Sequence, residues 1–504
     1  MAKITVNGTS YIVPSGIRLS EALKLDNSIS VPQPCAGLGR CAKCRVFASG
    51  QLSPLSAAEK QHLSEEDLRN GVRLACCTYI TGDCEVRADK AAEMTIALGG
   101  ANEAAATAPT FDKYGVAVDI GTTTLAAALY DTTGTRLAAV GRPNPQAHWG
   151  ADVISRIAAS MSGERENLSH AVTDAICELL VELAKKAGIP VSDIDGMVVT
   201  GNTAMLYLLT ATPPDALSRA PFEADRLFGE TLPSRSLGID CTDAEVYLPR
   251  CMSAFVGADI TTALLASGIC RSDETQMLID IGTNGEMAIW HDGKLYCCST
   301  AAGPAFEGAG LSMGMPGEVG AVDHVTLDGD SLSAHVIGEA QPRGICGSGI
   351  VDALACLMQT EQLDESGLLD DDPTDIAPPV AVTQKDIRMV QLAKSAIHAG
   401  LCTLVENVKL DWDDIAGLSI AGGFGSYLNL ESAARIGLLV PDILDKTIVI
   451  GNAALGGASM LLLDRGLRGE SEKLAMSSET IDLSSNPVFT MYYTEGMLFI
   501  DEME

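Results

Sequence analysis

Four cysteines stand in a spacing that can hold a metal cluster: Cys35-x5-Cys41-x2-Cys44, with Cys76 well downstream. Three thiolates from one loop plus a fourth from a later segment can tether an iron–sulfur cluster. Gly37 and Gly39 lie inside the loop. They free its backbone to wrap around such a group and aim amides at its sulfurs. Zinc is the alternative, but structural zinc sites usually pair two short Cys-x2–4-Cys knuckles. Only one knuckle is present here, and the wide first arm suits a cluster better.

A second chemistry is written in carboxylates and hydroxyls. In Asp119-Ile120-Gly121-Thr122-Thr123-Thr124 a carboxylate ends an apolar run, a glycine follows two residues later, and three threonines come next. Backbone amides and hydroxyls at such a turn can bond phosphate oxygens. The carboxylate can hold Mg²⁺ directly or through water. Taken alone, the segment reads equally well as a buried hairpin with a polar tip. The pattern recurs, however, at Asp280-Ile281-Gly282-Thr283, followed by Asn284-Gly285, again inside apolar strands. Two copies favour a phosphate clamp, each opening one half of a two-lobed unit.

The elements that must position these groups are legible from pattern. Residues 3–13 alternate as strand, Asn7-Gly8 turn and strand, a strong hairpin signal. A short helix opens at Ser20, a strand follows the cysteine loop at 45–48, a polar helical stretch covers about 56–70, and a last strand falls at 84–87. Residues 91–112 are rich in Ala, Gly and Thr with little to bury, and read as a linker. From Lys113 onward strands alternate with amphipathic helices, which means an α/β architecture. The strands are expected at 115–121, 124–130, 136–140, 196–200, 277–281, 285–290, 294–298, 417–421 and 447–450. The helices are expected at about 150–161, 167–187, 202–209, 258–268, 348–358, 383–407, 430–436 and 453–464. Asp370–Pro379 reads as a surface loop.

Composition narrows the function. The chain has 504 residues and a formal net charge of −32. That argues against nucleic-acid binding, which needs a basic face, and against docking on an anionic membrane. The start has no secretory apolar core, and no run of about 18 apolar residues marks a spanning helix. A cytoplasmic location is expected. The chain carries 15 cysteines, some in adjacent pairs such as Cys297-Cys298. That is awkward for a disulfide framework, so reduced thiols with a metal-ligating subset are expected.

The first 90 residues resemble a [2Fe–2S] ferredoxin of β-grasp (α+β) fold. The hairpin, helix, cysteine loop and distant Cys76 after Arg73-Leu74-Ala75 carry the resemblance. The first arm is one residue longer than the plant-type Cys-x4-Cys. The resemblance implies Cys35, Cys41, Cys44 and Cys76 as ligands, with Cys77 as a rival for Cys76 and Cys84 as a bystander. The two hairpins resemble the phosphate loops of the two-lobed α/β ATPases that include actin, heat-shock chaperones and acetate and sugar kinases. That likeness implies two ribonuclease-H-like lobes, about 113–275 and 276–504. Val256-Gly257-Ala258-Asp259 then looks like the first connecting helix, with Asp259 orienting a water. Ala421-Gly422-Gly423-Phe424-Gly425 looks like the adenosine-binding turn, and Gly451-Asn452-Ala453 like the second connecting helix. Gly201-Asn202-Thr203 and Gly344–Ile350 read either as phosphate-facing helix starts or as plain caps.

The whole chain resembles the reductive activators of corrinoid-dependent methyltransferases, which join a [2Fe–2S] domain to an ATPase of this kind. Asn144-Pro145-Gln146, Gly150–Arg156, Gly201–Met205, Asp280–Glu286 and Ala421–Gly425 carry the likeness. It implies ATP-dependent reduction of inactive Co(II) to Co(I) in anaerobic one-carbon metabolism. Asp119, Asp280 and Asp259 would act on MgATP. Gly121, Thr122, Thr123, Thr124, Asn202, Gly282, Thr283, Asn284, Gly285, Gly422, Gly423 and Gly425 would line the nucleotide. The implied partners are a corrinoid protein, a low-potential donor such as a ferredoxin or reductase, and a second copy of the chain. Departures are Ala36 and Ala42 where glycine is commoner, and a linker that leads straight into the first hairpin where some members insert a middle domain. His148 beside Trp149 reads as structural rather than as a cobalt ligand. Two other classes fit the same domains: a small-molecule kinase with a fused redox domain, and a nucleotide-binding redox sensor without turnover. An activator of a radical-type dehydratase fits less well, because that class usually shares a [4Fe–4S] cluster between subunits.

Overall fold

The computed structural model describes residues 1–25, 29, 31, 37, 39–40, 42–88 and 106–500. It separates into two compact units: Met1–Glu93 with Gln146–Ala159, and Met94–Pro145 with Ser160–Glu504.

The first unit holds a five-stranded sheet in the order Thr9–Val13, Ala2–Val6, Ile80–Arg87, Arg45–Leu52, Val72–Leu74. Asn7 and Gly8 both take positive φ, 47° and 92°, as a two-residue hairpin turn between twisted strands requires. The second and third strands run parallel, pairing Ile4 with Cys84. Ile4, Val6, Leu19, Leu74, Ile80 and Val86 fill the core. The expected helical stretch forms two short helices, Ala57–His62 and Glu65–Arg69. Each opens with a reciprocal capping box, from Ser56 and Glu59 and from Ser64 and Asp67. Ala42 takes φ 52°, where a glycine would be unstrained.

Glu59 does more than cap. Its side chain is fully buried beside Arg73. It accepts from Arg73 Nε (2.7 Å), Ser56 N (2.8 Å), Thr78 Oγ1 (3.0 Å) and Leu74 N (3.2 Å). The strand leading to Cys76 is thereby tied to the helix. Sequence pattern took this residue for part of a solvated helix, because its partners lie 14 to 19 residues away.

The second unit contains two six-stranded sheets of matching plan. In the first, the meander Tyr114–Ile120, Thr124–Asp131, Arg136–Pro143 is extended by Ile194–Gly201 and Glu245–Leu248, both parallel to its opening strand. In the second, Gln276–Ile281, Gly285–His291, Lys294–Thr300 are extended in the same way by Gly417–Ala421 and Thr447–Gly451. The opening strands are buried apart from their first residues, Tyr114 and Gln276, and the half-buried carboxylates Asp119 and Asp280.

Two helices lie between the sheets. Leu455, Ala458, Leu461 and Leu462 of Ala453–Leu463 share a core with Ala117, Ala126 and Val198 of the first sheet. Ile260, Ala263 and Leu264 of Ala258–Ser267 share one with Leu278 and Ala288 of the second. The helices touch closely at one point: a Cβ on Gly457 would lie 1.8 Å from the Thr262 carbonyl oxygen. Only glycine fits there.

Several expectations need revision. The linker reading is testable only from residue 106, since 91–105 lie outside the described residues. Ala108 N and Thr110 N donate to the Leu463 and Leu462 carbonyls (3.2 and 2.9 Å), and the Phe111 ring fills the space left by Gly115 and Gly196. The end of the expected tether is thus packed structure, anchored by its one large apolar residue. Asp370–Pro379 is not all loop: Thr374–Ala377 pairs with Val380–Val382, burying Thr374 and Ile376. Strands Ala321–Asp328 and Ser331–Val336 and helices Leu467–Ser477 and Pro487–Glu495 were not expected, although Ser331–Val336 alternates exposed and half-buried side chains. Buried Lys394 fixes the C-terminal segment, donating to the Gly496 and Leu498 carbonyls (2.7 and 2.6 Å) and lying 4.7 Å above the Phe499 ring. No helix among the described residues is long and apolar enough to cross a membrane.

Burial alone would raise the Glu59 carboxyl, but the bonds from Arg73 and Ser56 outweigh it and hold it at about 2. Its folded value lies below the ordinary 4.5. The resulting stabilisation, about 3 kcal/mol in full, is therefore present above the ordinary value and lost as pH falls toward 2. Urea midpoints of the N-terminal unit should fall between pH values of about 5 and about 3 in the native chain and stay nearly level in Glu59→Gln. That variant should already be weaker at neutral pH by roughly 3 kcal/mol, because Arg73 keeps its charge without a counterion. Equal acid sensitivity in both proteins would contradict the role given to Glu59.

Candidate functional site

The tips of the two hairpins are built from backbone that only particular residues allow. A Cβ on Gly121 would come 2.8 Å from the Thr124 carbonyl oxygen, so the turn needs glycine. Asn144 holds this turn: its Nδ2 donates to the Gly121 carbonyl (2.8 Å), and its amide donates to the Thr123 carbonyl (2.8 Å). Asn202 does two things. Its Oδ1 accepts from Met205 N (2.9 Å), capping Thr203–Leu209, and its Nδ2 donates to Thr122 Oγ1 (3.2 Å). In the second hairpin Gly282 N donates to the Asn284 carbonyl and Gly303 N to the Thr283 carbonyl (both 2.9 Å).

One residue spans both tips. Glu307 Oε2 accepts from Thr123 Oγ1 (2.9 Å) and from Thr283 Oγ1 (2.6 Å). It ends the turn Pro304–Glu307, which follows Gly303 at φ 81°. Nothing local marks Glu307 as a site residue, since its partners are 184 and 24 residues away.

Asp119, Asp259 and Asp280 meet between the hairpins and each keeps a partly exposed face. Burial raises the Asp119 carboxyl to about 6, against the opposing bond from Asn452 Nδ2 (3.1 Å). Burial, then Asp119 and Glu307, raise Asp280 to about 7. Asp259 is raised by burial and by Asp280 and Asp119, while its Oδ1 accepts from Ile260 N (2.9 Å). Glu286, buried one strand over, is raised by burial and by Asp259 and Asp280. No lysine or arginine is among the groups that shift these four carboxyls. Like charges so enclosed cannot all ionise without a cation. The donor set is entirely oxygen, which suits Mg²⁺. Among the described residues no three acidic, His or Cys side chains converge as a closed metal cage. A hard cation held by one or two carboxylates, water and phosphate needs none.

The glycine turn beside the second hairpin is equally constrained. Gly422 takes φ 95°, and a Cβ there would lie 2.6 Å from Asp280 Oδ1 and 2.7 Å from the Ile281 carbonyl oxygen. Gly423 faces open space. At Gly425 and Gly285 a Cβ would meet apolar neighbours: Ile420 in one case, Ile397 and Met287 in the other. Gly347 and Gly349 likewise abut the Phe306 and Val322 carbonyls, so the Gly344–Ile350 segment is a packing joint. The Phe306 and Phe424 rings stack there at 4.9 Å. Thr124 starts the return strand of the first hairpin.

In the N-terminal unit, Cys44 and Cys76 are both buried, and their sulfurs lie 3.3 Å apart with no disulfide between them. That is close enough to serve one iron atom, so the pair fits a cluster. Cys77 Sγ lies 3.5 Å from Cys76 Sγ and close against Gly39. Cys84 is buried in the sheet core. Cys35 and Cys41 lie outside the described residues. His148 packs edge-on against Trp149 at 5.0 Å.

A ferredoxin-like unit and a duplicated two-lobed clamp define an iron–sulfur protein with an ATPase of the actin and sugar-kinase superfamily. Comparison with known proteins agrees. Residues 4–81 match the 2Fe-2S iron-sulfur cluster binding domain, 114–272 the middle region of RACo, and 274–504 the C-terminal domain of RACo, described as the ASKHA domain. The corrinoid activation enzyme RamQ of Eubacterium limosum is 37% identical over 429 residues, covering 77% of this chain and 71% of that protein. The [Co(II) methylated amine-specific corrinoid protein] reductase of Methanosarcina barkeri is 25% identical over 437 residues, covering 76% and 78%. A solved structure titled reductive activator for corrinoid, iron-sulfur protein superposes with a TM-score of 0.71 at 27% identity, covering 99% of both chains. The chain belongs to this family of corrinoid-activating reductases. The family's middle region is matched by the first lobe itself.

Gly422→Ala should push a methyl group onto Asp280 in a backbone conformation that alanine resists. MgATP affinity should fall at least tenfold, measured by calorimetry, while the ferredoxin-like unit keeps its visible absorbance. Unchanged affinity would separate this turn from the nucleotide.

Proposed function

We propose that this chain uses MgATP to drive delivery of one electron to a corrinoid protein, taking its cobalt from Co(II) to Co(I). The observation that carries the reading is the pair of hairpins with Asp119 and Asp280 enclosed between them and, among the described residues, no lysine or arginine among the groups that shift their carboxyls. Such a cleft favours a cation with its phosphate ligand. Asp119 and Asp280 would hold Mg²⁺, the former steadied by Asn452. The Thr122, Thr123 and Thr283 hydroxyls, with the hairpin amides, would bond phosphate oxygens, and Asn202 would fix the Thr122 rotamer. The open backbone at Gly423 leaves room for adenosine.

Cys35, Cys41, Cys44 and Cys76 would hold a [2Fe–2S] cluster, which supplies a one-electron carrier when bound. A low-potential ferredoxin or reductase would be the donor. The Gly457–Thr262 contact lets the two central helices approach closely, and sliding at that joint is the motion by which nucleotide closure would alter the protein. Binding energy spent on closure can favour a state of the complex in which cobalt accepts the electron.

The test is anaerobic. With a strong reductant and a Co(II) corrinoid protein, Co(I) absorbance should develop with MgATP and not without it. Asp119→Asn should abolish the nucleotide effect while iron content stays unchanged. Cys41→Ala should lose iron and electron transfer together. Co(I) formation indifferent to ATP would contradict the reading. ATP-dependent phosphorylation of an added sugar or carboxylic acid would favour the kinase alternative.

A further inference from the structure

Glu307 occupies a position that the phosphate-clamp reading does not explain. It is an anion between two hairpins suited to bind an anion. Its Oε2 takes the hydroxyl protons of both Thr123 and Thr283, and its Oε1 lies 3.8 Å from where a Gly282 Cβ would be. The carboxylate thus sits directly over the second turn. A hydroxyl has one proton to donate. While Thr123 and Thr283 donate to Glu307, neither can donate to a phosphate oxygen. Carboxylate and phosphate therefore compete for the same two protons, one from each lobe.

The competition has a direction. A terminal phosphate that reaches both hairpins is the more highly charged acceptor, and Mg²⁺ would draw it in. When the two hydroxyls rotate toward it, Oε2 gives up these two donors beside the terminal phosphorus. A half-buried carboxylate oxygen that gives up hydroxyl donors favours a replacement donor. A water beside the terminal phosphorus supplies one. Asp259, expected for this task, has its Oδ1 engaged by Ile260 N at the head of its own helix.

Resting on the reading that the hairpins hold a nucleoside triphosphate, we infer that Glu307 orients the attacking water, and that Thr123 and Thr283 occupy it until a terminal phosphate claims their protons. The water oxygen bonds to the terminal phosphorus. The bond from that phosphorus to the bridging oxygen breaks, its electron pair leaving on the diphosphate. The water's proton passes to Glu307 and then to solvent. A diphosphate, lacking the terminal group, leaves the two threonines on Glu307, so hydrolysis returns the latch to rest.

The experiment uses the full-length, cluster-loaded chain with a Co(II) corrinoid protein, measuring MgATP binding by calorimetry and phosphate release at saturating ATP. Glu307→Gln keeps the shape, and its amide oxygen can still accept from both hydroxyls but cannot take a proton from water. It should bind MgATP as tightly as the native chain or more tightly, while kcat falls about 100-fold or more. Glu307→Asp, whose shorter arm leaves the carboxylate in place but retracted, should bind normally and recover part of kcat. Native-like kcat in Glu307→Gln would overturn the inference. So would lost affinity with unchanged kcat, which is the signature of a purely structural link between hairpins. Thermal unfolding of both variants identifies a folding defect, and Glu307→Asp then decides. If the native chain itself binds no MgATP, the nucleotide reading fails before Glu307 is at issue.

Discussion

The constraint on which this structure depends is the crowding of acidic side chains between two apolar sheets. Asp119 and Asp280 lie near the ends of largely buried strands, and Asp259 lies in the first turn of a helix laid between the sheets. Each raises the cost of ionising the next. Neighbouring donors bond two of the carboxyls: Asn452 bonds Asp119, and Thr123 and Thr283 bond Glu307. On the proposed reading, what relieves the charge also rearranges the hydroxyls that join the two hairpins.

The duplicated sheets explain why the cluster exists at all. One strand order, used twice, brings two copies of Asp-Ile-Gly-Thr to the same place on their sheets. The two central helices each pack against the other half's sheet, so the halves share a core rather than merely abutting. Gly457 against Thr262 lets them come close enough for this. A change at the hairpins is then felt along helices that belong to both lobes.

Much of the fold was legible because its signals are local. The Asn7-Gly8 turn, the strand alternation and the repeated hairpin each lie within a dozen residues. That Cys44 and Cys76 lie side by side was expected from the cysteine spacing together with the ferredoxin resemblance, with Cys77 as a rival. What escaped was long-range or unpatterned. Glu307 works through partners far off in sequence, and Glu59 looked like one more residue of a polar helical stretch. Asn144 was singled out with Pro145 and Gln146, but its bonds to the first hairpin were not. Gly285 and Gly425 were read as nucleotide contacts because glycine near a phosphate loop suggests backbone approach; their missing side chains also make room for Ile397 and Ile420, a packing role that the sequence does not mark. Asp370–Pro379 read as loop because its prolines and aspartates hide two buried side chains of a small ribbon.

The central claim is that nucleotide turnover in the clamp is tied to the oxidation state of the cobalt the chain serves. The most direct test compares steady-state phosphate release by the reduced, cluster-loaded chain alone, with a Co(II) corrinoid protein, and with the same protein already methylated. Release should rise with the Co(II) form and stay at the basal rate with the methylated one. Equal rates in all three would contradict the account.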